Sequence, residues 1–190
     1  MTEPMRKEYA SLRRRPFLTP VWLTAFVGLL LFGLLAWAAL SASTTTVYVL
    51  RHAEVLPGAG PDPSLSLAGE LRAERLREIF GEAPGELALD GILVSELRRT
   101  QETARPLANA LGIPVVVAPA ADPAAVARRA LAEFRGGRVL IVGHSNTVPA
   151  IVESLSGQGV PAMAETDFGT LYVVARPRFS PASVSMLRLP

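Results

Sequence analysis

His52 and His144 are the only histidines in the 190-residue chain, and each follows a short apolar run. Thr46-Val47-Tyr48-Val49-Leu50 leads into Arg51-His52, and Val139-Leu140-Ile141-Val142-Gly143 leads into His144. Imidazole titrates nearest neutrality of all side chains, which suits it to attack and to carry protons. Open α/β sheets collect their chemistry at the carboxyl ends of their strands, so two histidines at two strand ends are expected to face one site. A third apolar run, Gly91–Val94, leads into Ser95-Glu96-Leu97-Arg98-Arg99-Thr100. Histidines and arginines at three strand ends suit a tetrahedral dianion. Guanidinium forks hold its oxygens, and a neutral imidazole nitrogen attacks phosphorus in line, with no metal or other cofactor required.

Two other chemistries fit the residues poorly. Gly143-His144-Ser145-Asn146-Thr147 resembles half of a nucleophile elbow, but the closing glycine is missing and no histidine follows Ser145 to act as its base. His52, Glu54 and His144 lack the spacing of a helical metal motif, and the neighbouring arginines repel a cation.

The elements that must position these residues come from the hydrophobic pattern. Val47–Leu50, Gly91–Val94, Pro114–Ala118 and Arg138–Val142 read as strands, followed by Leu171–Ala175 and an alternating edge strand Ser183–Leu189. Leu67–Phe80, Leu97–Leu111, Pro123–Phe134 and Thr147–Leu155 have helical spacing, with Pro106 expected to kink or delay the second. The alternation predicts a three-layer α/β domain over residues 47–190, a mostly parallel sheet with helices on both faces.

The absence of cysteine removes thiol chemistry and iron–sulfur ligation, and 49% apolar residues supply one core but not two. The net charge of +2 is concentrated at the start: residues 1–20 carry five basic side chains against two acidic ones, and the remainder is close to neutral. A nucleic-acid surface is therefore not expected on the folded part. Val21–Leu40 is uninterrupted apolar sequence of bilayer length, which predicts a transmembrane helix preceded by a cytoplasmic basic segment, residues 1–20. A cleaved signal peptide ending at Ser41-Ala42-Ser43 is the competing reading. With Arg13-Arg14-Arg15 on the amino side, the positive-inside rule puts the domain outside the cytoplasm, periplasmic or extracellular, tethered by a linker over residues 41–46. If the first strand stands upright on that linker, the site faces away from the membrane.

The motifs carry a family resemblance running from about Val47 to Val174. Arg51-His52-Ala53-Glu54, Leu65-Ser66-Leu67-Ala68-Gly69, Ser95 to Ala104 and Gly143-His144-Ser145 resemble, in order, the signature segments of the histidine phosphatase (phosphoglycerate mutase-like) superfamily, with Ala53 in place of a glycine. The resemblance implies a phosphomonoester hydrolase in which His52 is transiently phosphorylated while Arg51, Arg99 and His144 hold the phosphoryl group. It selects Arg99 over Arg98, which is left to solvent. Arg51 and Arg99 are expected to keep His52 neutral, and amide groups at a helix start near Ser145 to add to the anion pocket. The family's usual carboxylate segment is absent, which leaves Asp122 or Glu54 as proton donor; Asp122 is equally placed to cap the helix at Pro123, and Glu54 to pair with an arginine. A phosphorylated small molecule or a phosphoprotein is the expected partner. A mutase-type phosphotransferase is disfavoured by short connections that leave water access, and a non-catalytic, membrane-tethered phosphate or phosphopeptide binder remains the other alternative.

Overall fold

The computed structural model describes residues 21–41, 44–58, 60–82 and 88–189, so the basic segment 1–20 and Ala42-Ser43 of the linker lie outside the described residues. The chain divides into two units, Met1–Leu40 and Ser41–Pro190. In the first, helix α1 (Val21–Ser41) exposes large apolar side chains on every face, Trp22, Phe26, Leu30 and Trp37 among them. It is long and apolar enough to cross a membrane.

In the second unit, strands and helices alternate: β1 (Thr44–Arg51), α2 (Leu67–Gly81), β2 (Gly91–Val94), α3 (Arg98–Leu111), β3 (Val115–Val117), α4 (Pro123–Glu133), β4 (Arg138–Gly143), α5 (Val148–Ser156), β5 (Thr170–Pro177) and β6 (Ser183–Arg188). They form one six-stranded sheet in the order β3-β2-β4-β1-β5-β6. Strands β3, β2, β4 and β1 run parallel, while β5 and β6 are antiparallel additions at one edge. The mostly parallel α/β expectation is met. β1 begins at Thr44, inside the stretch expected to be linker, because Thr44 and Thr45 already pair with Pro177 and Arg176 of β5.

The register places the site. Arg51 lies opposite Gly143, and both Val94 and Leu50 lie opposite Val142, so β1, β4 and β2 end level with one another. The residues that follow, His52, His144 and Ser95, therefore emerge side by side at one edge. β2 and the middle of β4 are buried on both faces, which is why they read as continuous apolar runs. One core joins the sheet to α4 and α5 through Val49, Ile141, Val152 and Leu155. The other joins it to α2 and α3 through Leu76, Ile92, Leu107 and Leu140. Truncating Ile141 or Leu140, both essentially inaccessible, is expected to cost about 2–5 kcal/mol.

Two local features differ from expectation. α3 runs through Pro106 without interruption, because its buried face of Thr100, Thr103, Ala104, Leu107 and Ala108 packs against the sheet and outweighs a cost of about 3 kcal/mol. α5 starts at Val148, three residues beyond Ser145, since Ser145-Asn146-Thr147 form a turn.

Candidate active site

Arg51, His52, Arg99, His144 and Ser145 line one open cleft of about 700 Å³, together with Glu96, Asn146 and Glu165. The two imidazole rings lie 5.3 Å apart between centroids, and both are buried.

His52 is fixed from both sides. Its backbone N–H donates to Gly143 O at 2.9 Å, which ties the end of β1 to β4. Its Nδ1 lies 2.7 Å from Ala53 O. A carbonyl only accepts, so Nδ1 carries the proton and Nε2 keeps a free lone pair. That tautomer leaves Nε2 as the basic nitrogen of the ring. Ala53, fully buried, donates its N–H to Thr103 Oγ1 on α3, and Thr103 in turn donates to Arg99 O. The loop after β1 is thus pinned to the helix that bears Arg99. Gly69 completes the loop's support: a Cβ there would overlap the Glu54 carbonyl, so the helix-entry glycine allows α2 to approach this close.

His144 is held by β4 and by the β2–α3 turn. Its N–H donates to Thr147 Oγ1 at 2.9 Å, and its Nε2 meets Ser95 Oγ at 2.9 Å. The preceding Gly143 leaves room for this turn, since a Cβ there would stand 3.0 Å from Thr147 Oγ1 and 3.3 Å from Val148 Cγ2. Both histidines are pushed down to about 4, by burial first. For His52 the charges of His144, Arg51 and Arg99 add to burial while the Ala53 hydrogen bond opposes it. The arginines expected to keep His52 neutral therefore do less than its desolvation does.

The guanidiniums already have partners. Arg51, buried at the floor of the cleft, donates from Nη2 to Glu165 Oε2 at 2.9 Å and from Nη1 to the carbonyls of Ala164 and Glu165. It also stacks 4.2 Å from the centroid of Phe168. Ser145 Oγ donates to Glu165 Oε1 at 2.6 Å. Glu165, whose side chain is 79% exposed, thus sits on two groups expected to bind phosphate. The Ser145 hydroxyl first, then Arg51, holds this carboxyl below its usual range. Arg99 faces Asp62 at 3.6 Å and is mostly covered, whereas Arg98 is exposed and pairs with Glu102 at 2.8 Å. Arg99 lines the cleft and Arg98 does not.

Neither carboxylate expected as proton donor lines the cleft. Asp122 caps α4, accepting the Ala125 N–H at 2.8 Å, with Arg128 beside it at 3.8 Å. Glu54 turns away to Arg72, whose Nε and Nη2 bind both its oxygens at 2.7–3.1 Å. Arg72, through its hydrogen bonds, holds Glu54 low, so it stays ionised and secures α2 to the loop after His52. The carboxylates that do line the cleft are Glu96 and Glu165. Glu96 follows Ser95 in the turn after β2, and Glu165 stands in the irregular stretch between α5 and β5, where no periodicity marks it.

Residues 47–122 match the model of the histidine phosphatase superfamily (branch 1). No curated protein sequence matches the chain. Among solved structures, the fold is similar to SixA of Agrobacterium tumefaciens, with a TM-score of 0.55 at 23% identity over 75% of this chain and 97% of that one. It is also similar to the protein histidine phosphatase SixA complexed with tungstate, with 0.55 at 18% over 75% and 96%. A mycobacterial glucosyl-3-phosphoglycerate phosphatase gives 0.58 at 16% over 77% and 100%. The match to the histidine phosphatase superfamily model thus covers β1 to β3, and the similarity to these solved structures is one of fold.

Proposed function

We propose that the domain hydrolyses phosphomonoesters through a covalent phosphohistidine on His52. The observation that carries this is the His52 tautomer: Nδ1 is engaged by Ala53 O, and the bare Nε2 stands in a cleft lined by Arg51, Arg99 and His144. Nε2 attacks phosphorus as the ester oxygen departs, and the guanidiniums neutralise charge on the non-bridging oxygens. Water then attacks the phosphohistidine and releases phosphate.

The incoming phosphoryl group takes over Arg51 and Ser145 from Glu165. Stripped of both partners and set beside a dianion, the Glu165 carboxylate gains affinity for a proton. It then serves as the acid for the leaving oxygen and as the base for water in the second step. The cleft is wide and open on the solvent side, which favours hydrolysis over transfer back to a product. Small phosphate esters and phosphorylated side chains of proteins both fit it. The α1 helix, preceded by Arg13-Arg14-Arg15, anchors the chain with this unit outside the cytoplasm.

The test is phosphate release by the full-length chain in detergent micelles, from a panel of alkyl, aryl and sugar phosphates and phosphopeptides, in the presence of a chelator. Turnover with chelator present supports the reading. Tight phosphate binding without turnover on any substrate would favour the non-catalytic binder.

A further inference from the structure

The second histidine has an unusual pair of environments. Nε2 of His144 meets Ser95 Oγ, while Nδ1 is buried with no hydrogen-bond partner. Ser95 and Thr100 are themselves buried, and their hydroxyls belong to one closed network. Leu97 N–H donates to Ser95 Oγ at 3.2 Å. Thr100 Oγ1 lies 2.8 Å from Leu97 O, 3.1 Å from Ser95 O and 2.9 Å from Ser95 Oγ.

Carbonyl oxygens only accept, and each hydroxyl has a single hydrogen. If Thr100 gives its hydrogen to Leu97 O, the Ser95 hydrogen goes to Thr100 Oγ1, and Ser95 Oγ is left with lone pairs for Leu97 N–H and for an N–H of His144. Every contact except that of Thr100 Oγ1 with Ser95 O is then a hydrogen bond. If Ser95 instead donates to His144 Nε2, the Thr100 hydrogen serves either Leu97 O or Ser95 Oγ but not both, and one bond of the network is lost. In a buried network each lost bond is costly, so the first arrangement prevails.

We propose that Ser95, oriented by Thr100, is a positioning residue that fixes His144 with its proton on Nε2, so that Nδ1 meets a bound phosphoryl group as a bare acceptor. This rests on the phosphatase reading of the site. A bare nitrogen facing a phosphoryl dianion is repulsive, and one solvent proton settles between them on binding. The charged groups around His144 agree with that exchange. Arg99, Arg51 and the His52 ring oppose a proton on it in the free protein, Glu96 and Asp62 favour one, and a dianion lying between it and the two arginines tips the balance toward uptake. The pocket would thus take a phosphoryl dianion together with a proton, while His52 stays neutral for attack.

The tautomer is read by nitrogen NMR on the full-length chain in micelles with labelled histidine, the resonances being assigned with the His52→Asn variant. The expected wild-type pattern is opposite for the two rings: His144 protonated at Nε2, His52 at Nδ1. Thr100→Val keeps the shape but removes the acceptor for the Ser95 hydrogen, so His144 should switch to the Nδ1 proton. Ser95→Ala should lose the fixed preference. Calorimetry with inorganic phosphate at about pH 8, in buffers of different ionisation enthalpy, should show uptake of about one proton per phosphate in the wild type and close to none in Thr100→Val. A wild-type His144 protonated at Nδ1, a tautomer indifferent to both substitutions, or phosphate binding without proton uptake would each overturn the proposal. Absence of phosphate binding removes the phosphatase reading instead, and the tautomer of the free protein still decides the role of Ser95.

Discussion

The cleft has two unlike walls. One is built by the level ends of β1 and β4, and its Arg51, His52 and His144 are all buried, with Ser95 of the β2 end behind His144. The other comes from loops, and its Glu165 and Glu96 are exposed carboxylates. In the proposed mechanism the strand wall holds the groups that must not move during attack. The loop wall holds carboxylates, Glu165 paired with Arg51 among them, that in the proposed mechanism give way when a phosphate arrives. Glu165 is itself 79% exposed, so its carboxylate returns to water when a phosphate takes its place on Arg51.

Changes on the strand wall should therefore be the most damaging. His52→Ala is expected to lower kcat by more than about 10⁴-fold, measured as phosphate release, with phosphate inhibition retained through Arg51 and Arg99. Arg99→Ala removes a donor from the developing anion and should lower kcat/KM by about 10²–10³-fold, against less than about twofold for the exposed Arg98→Ala. An Arg98 variant more impaired than the Arg99 one would reverse the roles assigned to these neighbours.

On the loop wall, Glu165→Ala separates two functions in a single variant. Inorganic phosphate should inhibit roughly threefold to tenfold more tightly, because Arg51 and Ser145 lose their resident carboxylate. At the same time kcat on an alkyl phosphate should fall by about 10²-fold for want of an acid. Weaker phosphate inhibition would show that Glu165 supports the anion pocket instead of competing for it. Outside both walls, Asp122→Ala should cost about 1 kcal/mol of stability through the lost cap and leave kcat/KM within about twofold of wild type, as chemical denaturation and steady-state assays would report.

How much of this was legible in the sequence follows the same division. The strand wall was, because buried parallel strands leave uninterrupted apolar runs whose ends are easy to place, and His52 and His144 follow directly on them, with Arg99 in the first turn of the helix after β2. Element boundaries shifted by a few residues where tertiary pairing decides, as at Thr44, or where a turn intervenes before a helix, as at Ser145. Pro106 misled because a propensity measured in isolated helices competes with a packed face worth more. The loop wall was not legible. Asp122 and Glu54 stand at motif-like positions, yet each is drawn off by a local partner, the Ala125 N–H and Arg72 respectively. Glu165 reaches Arg51 from 114 residues away along the chain, through an irregular segment that carries no period. Ser95 was visible as the first residue of its motif, but its bond to His144 depends on the register of β2 against β4.

The central claim is that His52 Nε2 carries the phosphoryl group between substrate and water. Rapid acid-free quenching of the full-length chain during turnover of a radiolabelled phosphomonoester tests it most directly. The account predicts a label approaching one per chain at early times, stable to alkali, lost in acid, located on His52 and absent from His52→Ala. Turnover with no label at any time, or a label that survives in His52→Ala, would contradict it.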